Sequence, residues 1–491
     1  MGTHLSRTVA EGIAFMQIVD GKAVDALSGE RIDVVSPSDG EVFASIPASN
    51  PSDVDRAVRS ARRAFDEGPW SRMPAAERGR CLTRLFHLVE KHGDELAALE
   101  SRDTGKPVRQ GRADVAATTR YYEFYGGAGD KIHGDTIPFL DGYTALTLRE
   151  PHGVVAGIIP WNYPLQILAR VAGAALAMGN TLVVKPAEDA SLTTIRIAQL
   201  ALEAGIPEGV FNVVTGYGRE AGAALSAHPL VDYVTFTGSP LTGTAIQQAA
   251  AINNRGVTME LGGKSPQIVF ADADVDAALP VLVNAIIQNG GQTCSAGSRV
   301  LIERPIYEKV AAGLAERFSR LVAGPHDADL DLGPLINARQ SERVAGMIAA
   351  AREAGIAILA EGSIAPDAPK GGFYQAPVLF GSVDPRATIA QEEVFGPVLA
   401  LFPFDGEEEA VRLANCTEFG LVAGVWTKDG ARQHRVARRV RAGQVYVNGY
   451  GAGGGIELPF GGFKKSGHGR EKGFEALYDM SATKTIVFNH G

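Results

Sequence analysis

The chain has 491 residues, long enough for two or three domains with cores of their own, and its 45% hydrophobic and 21% charged residues exclude a disordered chain. A net charge of -9 with no dominant basic cluster speaks against a nucleic-acid partner, because phosphate contacts need a basic face. No apolar run approaches the roughly 20 residues of a membrane span, and the three scattered cysteines, Cys81, Cys294 and Cys416, offer neither a disulfide framework nor metal-ligand spacing.

Along the chain, the first stretch of about 50 residues alternates in short runs around Pro37, Gly40 and Pro47 and reads as a strand meander. Residues 51–130 read as helical: Asn50, Ser52 and Asp53 are capping types ahead of Val54, Ala57, Val58, Ala61 and Phe65 at helical spacing. Residues 131–150 return to strand character. From residue 152 the rhythm is strand, helix, strand, helix. The apolar run Val154 to Ile159 ends at Pro160, and a helix follows from about Pro164 to Met178, stopped by Gly179. Leu182 to Val184 is a strand and Ser191 to Ala204 a helix. Phe211 to Val214 is a strand with a helix near Arg219, and Asp232 to Phe236 is a strand with a helix from about Leu241. This alternation is the mark of a doubly wound α/β fold, a parallel sheet with helices on both faces. A second α/β unit begins with 257–270 and 300–302, and 441–474 is glycine-rich and irregular. Thr483 to Phe488 reads as a lone terminal strand that must pair somewhere, another subunit being one such place. Arg432 to Arg441 alternates with apolar residues as the solvated face of a helix does. The N-terminus lacks the basic-then-apolar pattern of a signal peptide, which with the unpaired cysteines suggests a cytoplasmic protein; the loose myristoylation pattern of Met1 to Ser6 is better explained by chance.

The strict dinucleotide fingerprint is absent. Gly216-x-Gly218 and Gly467-x-Gly469 each have their third glycine one residue late. Gly238-Ser239 follows a strand and opens a helix, so its backbone N–H groups can hold a diphosphate, although most such turns only connect. Lys185 and Glu188 stand at another strand end, as donor and acceptor for ribose hydroxyls or as a solvated turn. Cys294 follows the Gly290-Gly291 pair among small residues that leave room for a substrate; a buried inert thiol is the commoner fate of a lone cysteine. Glu260 ends an apolar strand ahead of Gly262-Gly263, where a carboxylate serves as a base or as half of a buried ion pair.

Together these segments resemble the aldehyde dehydrogenase superfamily. The motifs are Pro160-Trp161-Asn162-Tyr163-Pro164, Lys185-Pro186-Ala187-Glu188, Phe236-Thr237-Gly238-Ser239, Glu260-Leu261-Gly262-Gly263-Lys264, Gly291-Gln292-Thr293-Cys294, Glu392 to Pro397 and Pro459-Phe460-Gly461-Gly462, in family order across nearly the whole chain. The resemblance implies a dinucleotide-binding domain over 1–128 and 151–261, a catalytic domain over 262–465, and a small β oligomerisation element over 129–150 and 466–491 that makes a homodimer or homotetramer. It implies oxidation of an aldehyde to a carboxylic acid, with NAD (NADP is possible) and with water as second substrate. Cys294 would be the nucleophile, Asn162 the oxyanion donor and Glu260 the base. Lys185, Glu188, Gly238, Ser239, Glu393, Phe395 and Trp161 would meet the cofactor, and Tyr163 and Phe460 the substrate.

Two departures stand out. Relatives commonly carry Trp-Lys where this chain has Arg170-Val171, so a lysine given a proton-relay role in related enzymes is missing. Arg170 shares a helix face with Tyr163 and Ile167, about two turns from Asn162, and would meet a carboxylate tail on the aldehyde unless it pairs with a structural carboxylate. Gly451 to Gly455 sits where relatives often place a large side chain in the substrate tunnel, which suggests a wide or mobile tunnel mouth, or else a loop that simply folds differently. A non-catalytic relative is disfavoured because Cys294, Glu260 and Asn162 are all present, and a coenzyme A-acylating one because such relatives usually lack the Glu at 260.

Overall fold

The computed structural model describes residues 13–451 and 455–491. Strands β1 (Gln17–Val19) and β2 (Lys22–Val24) lead into a helical layer of α1 (Pro51–Asp66), α2 (Ala75–Lys91), α3 (Gly93–Thr104) and α4 (Val108–Ala128). Asn50 and Asp53 form a reciprocal capping box at the start of α1. Val54, Ala57, Val58 and Ala61 make its buried face, while Phe65 lies at the edge.

After β3 (Tyr143–Pro151) come β4 (Val154–Ile159), α5 (Pro164–Ala177), β5 (Thr181–Pro186), α6 (Leu192–Glu203), β6 (Phe211–Val213), β7 (Tyr233–Thr237), α7 (Pro240–Ala251) and β8 (Gly256–Glu260). Every residue of β4, β5 and β7 is buried, as expected of parallel strands covered on both faces. The expected helix near Arg219 is instead a π turn over Gly218–Gly222 continued only by Ala223–Ser226, because three glycines between 216 and 222 weaken helix propagation.

The second unit is β9 (Pro266–Val269), α8 (Val275–Ile287), β10 (Arg299–Glu303), β11 (Ala357–Glu361), β12 (Val378–Gly381), β13 (Val398–Phe404), β14 (Val422–Trp426) and β15 (Gln444–Val447). Beyond it lie β16 (Gly467–His468) and β17 (Ser481–Asn489). The basic stretch forms a helix over Gly430–Arg439 that buries only Val436.

Sheet one runs β16-β8-β7-β4-β5-β6-β1-β2 and sheet two β11-β12-β13-β10-β9-β14-β15. In sheet one the chain moves outward from β4 through β5 to β6, then returns to the other side of β4 for β7 and β8. The order therefore reverses between β4 and β7, and such a reversal opens a crevice at the carboxyl ends of the strands. The third sheet pairs β17 with β3 of the same chain over nine residues, from Ser481 opposite Pro151 to Asn489 opposite Tyr143, so the terminal strand does not need another subunit. Two further expectations are corrected. The glycine-rich 441–474 stretch contains β15 at the edge of sheet two. Gly467–His468, grouped by sequence with the oligomerisation element, instead pairs with Met259 and Glu260 of β8. Residues 452–454 of the segment expected to shape the tunnel mouth, and the Met1 to Ser6 pattern, lie outside the described residues. Among the described residues no helix is long and apolar enough to cross a membrane, and no cluster of His, Cys, Asp and Glu is arranged to hold a metal.

Candidate active site

The crevice collects the sequence motifs because each sits where a strand of sheet one ends. Asn162 follows β4, Lys185 lies near the end of β5, Gly238 and Ser239 follow β7, and Glu260 ends β8. The cysteine arrives from α8 through a turn with positive φ at Asn289 (51°), Gly290 (61°) and Gly291 (74°). A side chain at Gly291 would place its Cβ 2.2 Å from the Gly396 carbonyl oxygen, so only glycine fits there.

This turn is tied to the Asn162 loop. Asn289 Nδ2 donates to the Asn162 carbonyl at 2.8 Å, Asn162 Nδ2 to the Gln292 carbonyl at 2.9 Å, and Tyr163 Oη shares a hydrogen bond of 2.9 Å with Thr293 Oγ1. Behind them lies Lys106, fully buried. Its ammonium donates to Glu100 Oε1 at 3.0 Å, to Asp114 and to the Asn162 carbonyl at 3.1 Å, and stands 4.6 Å from the Tyr163 ring centroid. Removing one member of a buried ion cluster leaves its partners desolvated and unpaired. Lys106→Met is therefore expected to cost about 3–5 kcal/mol, read as a lower urea midpoint at pH 7; an unchanged midpoint would refute the cluster's structural weight.

Asn162, Tyr163, Arg170, Cys294, Phe460 and Lys472 line one cleft of about 400 Å³. Cys294 is partly exposed to it. Enclosure by protein pushes the thiol up to about 12, opposed by the positive charges of Arg170 and Lys472, so the sulfur carries its proton at neutral pH and needs a base. One amide hydrogen of Asn162 Nδ2 goes to Gln292 and the other remains for a ligand. Among the described residues nothing accepts from the Cys294 N–H. Two donors are thus available beside the sulfur.

Glu260 is buried, and among the described residues neither of its carboxylate oxygens has a hydrogen-bond partner. Desolvation, then the charge of Glu471, raises its pKa well above the ordinary carboxylate range. A buried carboxyl with no partner is costly for folding and is a mark of functional use. A Cβ on Gly461 would stand 2.8 Å from Glu260 Oε1, and one on Gly263 2.3 Å from the Cys294 carbonyl oxygen, so glycines bring the backbone close around both groups.

The remaining predicted residues lie along the same crevice. Lys185 Nζ and Glu188 Oε2 pair at 2.9 Å. Ser239 caps α7, with its hydroxyl accepting from the Thr242 N–H at 3.3 Å. Beside it the buried Thr237 hydroxyl is without a partner among the described residues. Glu393 Oε1 accepts from the Gly263 N–H at 2.8 Å, and burial lifts its pKa to about 7. Phe395, held at φ 57°, meets the Trp161 ring edge-on at 5.4 Å.

Arg170 lines the cleft as expected, but it has the structural partner that the sequence left as the alternative. One guanidinium nitrogen lies 3.3 Å from Glu471 Oε2 and another donates to Tyr121 Oη at 3.2 Å. Val171, at the position of the missing lysine, is buried in the core. Sequence reasoning missed Lys106, Glu471 and Lys472. The signal for the last two was a Glu-Lys pair between Gly469 and Gly473, close after Pro459-Phe460-Gly461-Gly462. Lys106, between Gly105 and Pro107, gave none.

Two doubly wound layers meet at a switch-point crevice that carries a thiol and a carboxamide, with a buried carboxyl at the end of β8, the arrangement of a thiol enzyme. The profile described as Aldehyde dehydrogenase family matches residues 24–486, and the chain belongs to that family. It is 44% identical over 473 residues to the mitochondrial aldehyde dehydrogenase family 2 member B4 of Arabidopsis thaliana, covering 96% of this chain and 87% of that one. Among solved structures it is similar to one from Burkholderia cenocepacia that carries only a provisional aldehyde dehydrogenase name (60% identity, TM-score 0.96, 97% of this chain and 100% of that one). It is also similar to an NAD-dependent aldehyde dehydrogenase from Sinorhizobium meliloti (41% identity, TM-score 0.95, 100% and 97%).

Proposed function

We propose that this protein oxidises an aldehyde to the carboxylic acid with NAD, Cys294 being the nucleophile. The observation that carries the reading is the orphaned, buried Glu260 carboxyl at the same strand-end crevice as Cys294 and Asn162. The Cys294 sulfur, its proton passed to water of the open cleft, attacks the aldehyde carbon. The oxyanion so formed is held by the second Asn162 amide hydrogen and the Cys294 N–H; one such donor is worth about 3–4 kcal/mol. Bound in the crevice, the nicotinamide supplies a hydride acceptor. The thioester left on Cys294 is then hydrolysed by water from which Glu260 takes a proton.

The residues fit the dinucleotide. The Lys185–Glu188 pair offers a donor and an acceptor to a ribose, the Thr237 hydroxyl and the start of α7 suit a diphosphate, and Glu393 suits the second ribose. The name of the Sinorhizobium relative supports NAD. The lysine beside Glu188 lowers that carboxyl's pKa despite its burial, so it is ionised at neutral pH and would repel a 2′-phosphate. The expected result is a kcat/KM for NAD at least roughly tenfold above that for NADP, a difference of about 1.4 kcal/mol; a higher value for NADP would overturn this part. The exposed apolar side chains Phe139, Leu140, Val487 and Phe488 support subunit assembly through the third sheet.

A second reading narrows the substrate to an aldehyde with a carboxylate tail. It is favoured by the two cations of the cleft wall, Arg170 and Lys472.

A further inference from the structure

The Asn162 carbonyl accepts two hydrogen bonds, one for each lone pair: from the Lys106 ammonium at 3.1 Å and from Asn289 Nδ2 at 2.8 Å. The side chain of Asn162 is held more loosely. Its Nδ2 donates to the Gln292 carbonyl at 2.9 Å, while its buried Oδ1 has no partner among the described residues. The direction of the free amide hydrogen is therefore set by the backbone of Asn162 as much as by its carboxamide. Both donors to that backbone are themselves fixed. Lys106 lies in the bend between α3 and α4, where Gly105 at φ 80° ends the first helix. A Cβ on Gly105 would stand 2.7 Å from Pro334 Cγ, so the bend sits tight against the second unit. The ammonium directs its other two hydrogens to Glu100 Oε1 at 3.0 Å and to Asp114, both buried. Asn289 comes from the other side, with φ at 51° and its backbone N–H on Gln110 Oε1 at 2.9 Å.

We propose that Lys106 and Asn289 are positioning residues for the oxidation: by occupying both lone pairs of the Asn162 carbonyl, they fix the direction in which its free amide hydrogen meets the oxyanion. The inference rests on the oxidation proposed above and gives Lys106 a part in the reaction beside its weight in the fold. Neither residue lines the cleft, so each acts through Asn162 and not on the substrate. Position is what an oxyanion donor needs, because it works only within about 2.7–3.1 Å of the developing charge, and a misplacement of about 1 Å costs roughly 100-fold in rate. A hydrogen bond from an ionised donor is roughly twice as strong as a neutral one, which makes Lys106 the stiffer clamp. Asn289 ties the same carbonyl to the turn that presents Cys294, since its Nδ2 also meets the Gln292 carbonyl at 3.4 Å. Donor and nucleophile are thereby held in one frame built from three distant stretches of chain.

The test measures the first turnover of NADH formation by stopped flow, at saturating propanal and NAD, in a double-mutant cycle. Asn162→Ala removes the donor and should slow this step by about 10²- to 10³-fold. Lys106→Met and Asn289→Gly leave the donor in place but loosen its aim, and each should slow the step by roughly 10- to 100-fold, with the KM for propanal changed less than about threefold. Glycine accepts the positive φ of position 289, so that variant removes the hydrogen bond without straining the turn. Placed on top of Asn162→Ala, neither change should slow the step by more than about twofold, because the amide that they aim is gone. The rate at which iodoacetamide inactivates Cys294, a reaction that forms no oxyanion, should stay near the parent's in both single variants. A full loss repeated in the Asn162→Ala background overturns the proposal, since the residues then act through the fold or the thiol. So does a first turnover in Asn289→Gly as fast as the parent's. If Lys106→Met does not fold, Asn289→Gly, which keeps the ammonium and both of its carboxylates, decides for the clamp. A parent that forms no NADH from propanal, or an Asn162→Ala variant that loses nothing, would mean instead that the oxidation or its oxyanion donor has been misassigned.

Discussion

Cys294→Ala is expected to abolish NADH formation from propanal and NAD, a loss of about 10⁴-fold or more, while Cys81→Ala and Cys416→Ala keep most of it. The three thiols differ in surroundings and not in type. Cys294 opens onto the cleft beside two donors, and the charges of Arg170 and Lys472 act on it against the upward push of burial. Cys81 is buried within α2, packed in the main core with Leu85, and its thiol is raised by the same desolvation with no cleft to reach. Cys416 is exposed and lies 3.5 Å from an Arg299 nitrogen, and it is not among the residues that line the cleft. Because burial holds the Cys294 proton on at neutral pH, kcat/KM for the parent should rise with pH from neutral into the alkaline range as the thiol and its base lose protons. Full activity in Cys294→Ala would sink the nucleophile assignment. A loss confined to Cys81→Ala would instead show that a packing change reaches the site through α2.

Why the strands and helices of sheet one were legible is plain from their composition. Val154 to Ile159 is a run of six apolar or small residues, Pro160 ends it, and Gly179 stops the following helix, so local chemistry and burial agree. The position of Asn162, Glu260 and Ser239 at the strand ends follows from the same punctuation. Their convergence on Cys294 does not. It depends on which strands are neighbours, and only the family resemblance carried it. Arg170 shows the limit most clearly. Its spacing from Tyr163 and Ile167 put it on the correct helix face, but its partner Glu471 lies 301 residues away, and no periodicity reports that. Lys106 and Lys472 were passed over for the opposite reason. A lysine beside glycine or proline looks like a solvated turn, and only tertiary packing turns it into a buried charge. The short strand at Gly467–His468 has two residues and positive φ at Gly467, too little pattern to distinguish from a loop.

Glu260→Gln is expected to give a burst of NADH of about one equivalent per active site followed by slow turnover, with steady-state kcat reduced about 10²- to 10⁴-fold. The amide nearly matches the carboxyl in shape, so attack by Cys294 and hydride loss can still occur once, but it cannot take a proton from water, and the thioester accumulates. Unfolding is not an adequate alternative, and the sign of the linkage says why. Desolvation and the charge of Glu471 raise the Glu260 pKa in the folded protein. A carboxyl raised in this way favours the folded state below its unfolded pKa, and that contribution is lost as pH rises through the folded value, because the unfolded chain then releases the proton first. At neutral pH the parent therefore bears a cost at this position that a neutral amide does not bear. Glu260→Gln should accordingly melt no lower than the parent at pH 7, and its advantage should grow toward alkaline pH and vanish in acid. Stopped-flow absorbance at 340 nm reads the burst, and thermal melts at three pH values read the stability. A burst that disappears while steady turnover persists would remove Glu260 from deacylation. A variant that melts well below the parent at pH 7 would mean that the carboxyl has a partner supporting the fold, against the orphaned state that both of its oxygens show.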